Sequence, residues 1–438
     1  MASVIKIYAL FLGSALLMFG GGLQGLLLSV RGAEEGFSLL SLGLIGTGWS
    51  VGFVAGSILV PLIVRKVGHI RAFSVMVAIG TVTILLNLLM VNDISWILLR
   101  ALSGFCFAGA AMIVESWLNE VAENKSRGTI FSIYVTINLT ASTLGQIAMS
   151  VTGTAGYIPF VIGAISFICA VLPTSLTSSP QPRPLASAKL DLGLLIRTSP
   201  VAAAAAFCCG MANGSFGTLA PVYGYEQGLD ASGIAFLFAI AAIAGAVGQI
   251  PFGRLSDRID RRWVMVGLGA GAAVTGALIV IINPSAGWLM YVLFALYGLT
   301  ANPLYPIAVA HANDFARDGE FARVAGGMLL ILGLGLAIGP TVASLLMGYI
   351  APMALFMVTA VFHAIITAFA YWRMSQRKSV DAADRAPFRP MGNETPETIV
   401  LDPRTDSDSP EMGHAEAPVP EELATQNEDQ RDVQNGTI

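Results

Sequence analysis

Charge is what this sequence has least of. Only 12% of its 438 residues are Asp, Glu, Lys or Arg, about half the share that a soluble globular surface carries. A mean hydropathy of +0.71 points the same way. A soluble enzyme, a secreted disulfide scaffold and a nucleic-acid binder are therefore excluded as first readings. Cysteine is scarce too. Cys106, Cys169, Cys208 and Cys209 all lie in apolar runs without C-x-x-C spacing, so they read as small buried hydrophobes rather than metal ligands. There is no G-x-x-x-x-G-K-[ST] run, and Gly267–Gly271 sits inside an apolar stretch where packing explains it. No Ser/His/Asp or Cys/His arrangement stands out. The expectation is no enzyme, no cofactor and no bound metal.

Long apolar runs are what the chain has instead. Crossing a bilayer as a helix takes roughly 20 apolar residues, and the stretch up to residue 373 is little else. Twelve spans are expected, at about 5–30, 38–64, 70–91, 95–121, 129–152, 156–176, 199–223, 231–252, 263–283, 286–311, 323–349 and 352–373. They should be helices, because a backbone without water must satisfy its own polar groups, and no strand-like alternation appears. The first run, Val4 to Val30, is too long for a signal h-region and no A-x-A site follows it.

Charge of each sign is unevenly placed. Residues 394–438 hold twelve acids against two Arg, while the rest holds sixteen acids against twenty-two Lys or Arg. With a cytoplasmic N-terminus, 22 of the 24 basic residues fall on the inside, leaving Arg31 outside and Arg100 within a span. Positive charge concentrates on the cytoplasmic side of membrane proteins, which predicts both termini in the cytoplasm of a bacterial inner membrane.

The inside segment from about Thr177 to Pro200 carries Pro180, Pro182 and Pro184 and divides the spans six and six. An offset of 192 residues lays Gly36 on Gly228, Gly56 on Gly248 and Arg65–Lys66 on Asp257–Arg258. Such a parallel repeat is a mark of two-half transporters. The expected organisation is an N-terminal six-helix half (1–176), a linker (177–198), a C-terminal six-helix half (199–373) and an acidic tail (374–438). From residue 379 onward the composition is too polar to offset the entropy of ordering, so a disordered, dispensable tail is expected.

Two motifs carry chemistry. Gly253-Arg-Leu-Ser-Asp-Arg-Ile-Asp-Arg-Arg262 follows the eighth span. Gly253 allows close helix approach, Asp257 suits the positive end of a neighbouring helix, and Arg258, Arg261 and Arg262 can anchor the loop at the cytoplasmic surface. In the fourth span, Arg100-Ala-Leu-Ser-Gly-Phe-Cys-Phe-Ala-Gly109 puts a guanidinium inside the membrane, which demands a partner or a wet cavity; the alternative is an Arg snorkelling to the outer surface. Glu115, fifteen residues on, lies about 22 Å deeper along the same helix. It reads as a protonatable gate, as a partner for basic residues at the cytoplasmic edge, or as a solvated helix end. Other candidates for a cavity wall are Gln24, Asn213, Tyr223, Asn302, Tyr305 and His311, although buried polar side chains in membrane helices often only join helices.

The first motif resembles the G-x-L-x-D-R-x-G-R-R signature of the major facilitator superfamily, with Leu255 in register and Asp260 in place of the second Gly. The second is similar to that family's R-x-x-Q-G-x-G-x-A motif, with Ser103 and Cys106 substituted. Val114-Glu-Ser, Gly68-His-Ile-Arg and Leu304-Tyr-Pro look closest to its poorly characterised bacterial YcaD-like branch. The resemblance spans residues 5 to 373. It implies an all-α bundle of twelve transmembrane helices in two six-helix halves, with proton coupling at Arg100. In the first half, Pro61–Arg71 is degenerate, since Arg65 stands where the family has its Asp. The fifth span has Gly145-Gln146 and lacks the G-P kink of the drug antiporters, which weighs against a multidrug exporter. In the eleventh, Gly335, Gly339 and Pro340 suit close packing and a kink.

The resulting expectation is a monomeric, proton-coupled secondary transporter of a small organic solute, with export preferred. Metabolite uptake by a symporter or facilitator is the alternative, and a transporter-like sensor using the tail is a third. Partners are then a small-molecule substrate, protons and the bilayer, without nucleic acid.

Overall fold

The computed structural model describes residues 2–122, 126–175, 191–317 and 320–380 together with Arg385 and Phe388. Among these every regular element is a helix. The first half of the chain holds α1 (Ala2–Glu34), α2 (Leu39–Val67), α3 (His69–Leu89), α4 (Asp93–Val121), α5 (Arg127–Thr152), α6 (Ile158–Cys169) and α7 (Val171–Ser175). The second holds α8 (Leu192–Thr198), α9 (Pro200–Glu226), α10 (Ala231–Arg258), α11 (Arg261–Ile282), α12 (Trp288–Ala301), α13 (Leu304–Asp314), α14 (Phe321–Tyr349) and α15 (Ala354–Met374).

Helix begins at each of the twelve expected places, and the local reasons can be read off. Ser38, Asn92, Ser199 and Asp230 each cap the helix that follows, accepting the backbone N–H three residues on; such a cap satisfies an amide that the helix itself leaves open. Gly36 and Gly228, the pair matched by the 192-residue offset, both adopt positive φ, 77° and 83°. Each turns the chain between the first two spans of its half, where a side chain would be strained.

Among the described residues, ten helical stretches are long and apolar enough to cross a membrane, the broken Trp288–Asp314 among them. The pair α8–α9, bent by 116°, makes eleven if taken as one span, and Ile158–Thr174 is a shorter apolar helix at the place of the expected sixth. The break between α12 and α13 falls at Asn302–Pro303, where proline has no N–H to give the ladder. Of the expected linker, residues 177–190 lie outside the described residues; its end is α8, capped by Asp191 and tied to α14 by an Asp191–Arg323 ion pair.

Packing repeats the pattern of the sequence. In the first half α2 packs on α4, α1 on α5 and α3 on α6; in the second, α10 packs on α12, α9 on α14 and α11 on α15. Contacts across the halves are made by α2 with α14, α5 with α10, and α1 with α9. The α2–α4 seam is close because Gly52 and Gly104 face backbone: a Cβ on Gly104 would lie 2.1 Å from the Trp49 carbonyl oxygen. Small residues of this kind let membrane helices approach where hydrophobicity no longer drives them together. Large side chains remain on the outside, as at Leu98, Val151, Val247 and Ile281. Exposed Tyr157, Trp288 and Tyr349 ring one end of the bundle, and Trp263, Tyr371 and Trp372 the other. Amphipathic rings at two levels mark the two headgroup layers of a membrane protein.

Candidate functional site

A cavity of about 290 Å³ lies between the halves, lined by α1, α2, α4 and α5 on one side and by α9, α10, α14 and the α12–α13 break on the other. Toward the end opposite the basic loops the halves are joined above it. Thr47 Oγ1 donates to the Ala337 carbonyl at 2.6 Å and lies 2.8 Å from Thr341 Oγ1. Gly43, one turn before, packs against Ser344 and Pro340.

Arg100 lines this cavity rather than snorkelling to the surface. Its guanidinium lies 5.7 Å from the centroid of the Trp49 ring, a distance at which the ring's face attracts a cation. Trp49 also neighbours Phe53 and Phe107, at 5.2 and 5.9 Å between centroids. Around this cation the first half contributes amides. Gln24 and Asn138 are 4% and 5% exposed. Ser14 Oγ donates to Asn138 Oδ1 at 2.7 Å, which fixes the amide so that Nδ2 faces away from Ser14. Asn138 Nδ2, Gln24 Nε2 and Gln146 Oε1 have no hydrogen-bond partner among the described residues, and all three residues line the cavity.

The opposite wall is built from Asn213, Phe216, Phe238, Gln249, Asn302 and the α14 leucines 329, 332 and 336. Asn302 caps the end of α12 and donates weakly to the Ala241 carbonyl at 3.4 Å. Phe216 is the hub of an aromatic cluster, 5.4 Å from Phe238 and 4.8 Å from Tyr297.

Of the eight candidate cavity residues, the structure brings four together: Gln24, Arg100, Asn213 and Asn302. The other four lie elsewhere. Glu115 is 1% exposed and packed toward α5, where the Tyr134 hydroxyl donates to it at 3.4 Å; the solvated helix end is thereby ruled out. Tyr223 stacks on Phe294 and meets Phe356 edge to face. Tyr305 belongs to the buried core of the second half. His311 is buried against Phe315 near the basic end. At all three of these tyrosine and histidine positions, aromatic or core neighbours take up the side chain. Trp49, Asn138 and Gln249 also line the cavity, as does Gln146, which the sequence marks only by the missing G-P kink. A signal existed, since Asn138, Ser142 and Gln146 recur every fourth residue and so mark one wet helical stripe.

The Gly253–Arg262 loop departs from its expected surface role. Arg258 is exposed, but Arg261 and Arg262 are 1% and 3% exposed, so neither reaches lipid headgroups. Arg261 grips Asp314 with two hydrogen bonds, at 2.7 and 3.3 Å, and donates to Ser256 and Asp257 as well. Arg262 pairs with Asp260 at 2.7 Å and donates to the Arg373 and Arg377 carbonyls. Asp260, which replaces a family glycine, caps α11 through the Arg262 amide. Burial opposes its ionisation, yet the hydrogen bonds from the Arg262 side chain and amide hold its carboxyl below the usual carboxylate range.

Asp257 accepts from Arg261 and from the Phe388 amide, the latter at 2.9 Å, in place of a helix end. Gly253 admits the Phe388 ring, which a Cβ would meet at 2.2 Å, and Arg385 donates to the Ile259 carbonyl. At these two positions the tail is packed on the bundle, contrary to expectation, because Phe388 is an apolar residue facing a glycine-sized gap. Residues 389–438 of the tail lie outside the described residues. Among the described residues no cluster of His, Cys, Asp or Glu could hold a metal.

The chain matches the family model for the Major Facilitator Superfamily over residues 10–247 and 202–402. It is similar to an uncharacterized MFS-type transporter of Enterobacter sp. (strain 638), 27% identical over 355 residues, covering 79% of this chain and 89% of that protein. It is also similar to the uncharacterized MFS-type transporter YcaD of Escherichia fergusonii, at 24% identity over 332 residues and 75% and 85% coverage. Among solved structures, the nucleoside transporter NupG superposes with a TM-score of 0.68 at 15% identity, covering 86% of this chain and 100% of that one. A bacterial homologue of the human lysosomal transporter Spinster, inward-facing and occupied, gives 0.67 at 18% identity, with 86% and 97% coverage.

Proposed function

Because the chain belongs to the major facilitator superfamily, we propose that it is a monomeric secondary transporter that moves a small organic solute by alternating access. Residues 1–176 and 199–373 are the two bodies that rock against each other, in a bacterial inner membrane with both termini cytoplasmic. The observation that carries this reading is a cavity whose wall is shared by both halves. Such a cavity necessarily changes its opening when the halves tilt. The Thr47–Ala337 and Thr47–Thr341 contacts then form the gate on the outer side.

Proton coupling is the energy source in this proposal, with export as the preferred direction. Glu115, buried on the helix that also carries Arg100, is its proton carrier, since an ionisable group at membrane depth is expensive and is kept for function. One observation favours a facilitator as second reading: among the described lining residues Arg100 alone is ionisable. Untargeted comparison of solutes retained by cells with and without the protein identifies a substrate, and proteoliposome flux with and without an imposed pH gradient then separates the readings. Flux that follows the gradient and loses that response in Glu115→Gln is the expected result. Flux indifferent to the gradient selects the facilitator, and no flux of any retained solute removes the transport reading.

A further inference from the structure

We infer that the cargo is an organic monocarboxylate, its carboxylate held by Arg100 on the first-half wall and its apolar body on the second-half wall. The inference rests on the transport reading for its word "cargo", but the binding site stands on geometry alone. Among the described lining residues Arg100 carries the only formal charge, so the cavity is net positive. A cation entering it would be repelled, and an anion attracted. The planar guanidinium is the side chain that matches a carboxylate with two parallel hydrogen bonds.

The second observation is independent of the charge. Gln24 Nε2 and Asn138 Nδ2 are donors without a partner among the described residues, on side chains more than nine-tenths buried, in the same cavity wall. Buried donors left open are costly unless something occupies them, and donors are what a carboxylate lacks. Ser14 makes the Asn138 orientation a built feature, because its hydroxyl donates to Oδ1 and leaves the N–H₂ group as the free end.

The facing wall specifies the rest of the molecule. Phe216, Phe238, Leu332 and Leu336 offer rings and branched chains, and they carry no charge. A volume of about 290 Å³ sits at the small end of ligand pockets, which suits one aromatic ring or a short branched chain. An anion also fits the export direction, since a membrane potential negative inside drives it outward.

The test uses the purified full chain and three probes of one shape: benzoate, benzamide and benzylamine. Binding is read by tryptophan fluorescence, with Trp49→Phe to localise the change, and by calorimetry at millimolar concentration. Benzoate should bind at least about tenfold more tightly than benzamide, and benzylamine should not bind. Arg100→Gln should erase the difference between benzoate and benzamide. Arg100→Lys, which keeps the charge and loses the fork, should retain a weaker preference, and it carries the test if Arg100→Gln does not fold. Equal binding of benzoate and benzamide, preference for benzylamine, no saturable benzoate binding, or a preference that survives Arg100→Gln would each overturn the inference. Counterflow of labelled benzoate in proteoliposomes separates it from the transport reading. Charge-selective binding without counterflow sinks transport and leaves the carboxylate site standing. Counterflow of benzamide equal to that of benzoate sinks the carboxylate assignment alone.

Discussion

The loop after the second span and the loop after the eighth occupy equivalent places in the two halves, yet they are held in different ways. In the second half, Arg261 is buried and locked between Asp314, Asp257 and Ser256, while Arg262 ties Asp260 to the end of α15. In the first half, Arg65 and Lys66 point outward and the position matching Arg261 is His69, equally buried, with Ser116 at 3.5 Å. The 192-residue offset that lays His69 on Arg261 lays Ala122 on Asp314, so the acid that would demand an arginine is missing too. One half has thus a charged lock joining α10, α11 and α13, and the other a buried histidine beside Ser116 with the Glu120 charge nearby. The lesson is that a sequence repeat preserves the helix path while the electrostatics at its corners diverge.

The comparison breaks most sharply at Arg261. Arg261→Ala should destabilise the protein by about 3–5 kcal/mol, because buried Asp314 loses the two charge-assisted hydrogen bonds that Arg261 gives it. His69→Ala, at the matching position, should cost only about 1–2 kcal/mol from lost packing and one weak hydrogen bond. Thermal unfolding of both purified variants checks this, and equal losses would mean that the two corners are held alike.

A smaller effect, about 1–2 kcal/mol, is expected for Asp260→Ala, which removes both the α11 cap and the Arg262 pair. Its pH dependence has a definite sign. The folded-state carboxyl titrates below its unfolded value, so the stabilisation is fully present above about pH 4 and lost as pH falls through the lower folded value. Wild type and variant should therefore converge in stability under strong acid. A gap that persists there would show that the cap alone, without ionisation, provides the effect.

The smallest change sharpens the comparison at the tail. Phe388→Ala should lower stability by less than about 1 kcal/mol, yet speed amide hydrogen exchange across residues 253–259 and leave residues 61–67 unaffected. Unchanged exchange in both loops would remove the tail contact as a difference between the halves.

Much of the architecture was legible in the primary structure. Gln24, Arg100, Asn213 and Asn302 stood out as polar residues in apolar runs, and they do line the cavity. Tyr223 and Tyr305 stood out for the same reason and do not, because a phenol is also a large hydrophobe and packs readily among Phe294, Phe356 and the second-half core. The family motif pointed to Arg261 and Arg262 but not to their burial, since Asp314 is 53 residues from Arg261 and no local pattern links them.

What the sequence by itself determined follows from the solvent. Runs of apolar residues in a bilayer have to be helices, and basic segments between them have to stay on one side, so span positions, their repeat and the family were readable one residue at a time. What only the tertiary structure decided is which polar groups meet. Asn138 facing the same space as Arg100, Arg261 meeting Asp314, and Phe388 filling the gap over Gly253 each depend on how helices far apart in the chain rotate and cross. Those rotations are set by side-chain packing across many contacts at once, which no window along the chain contains.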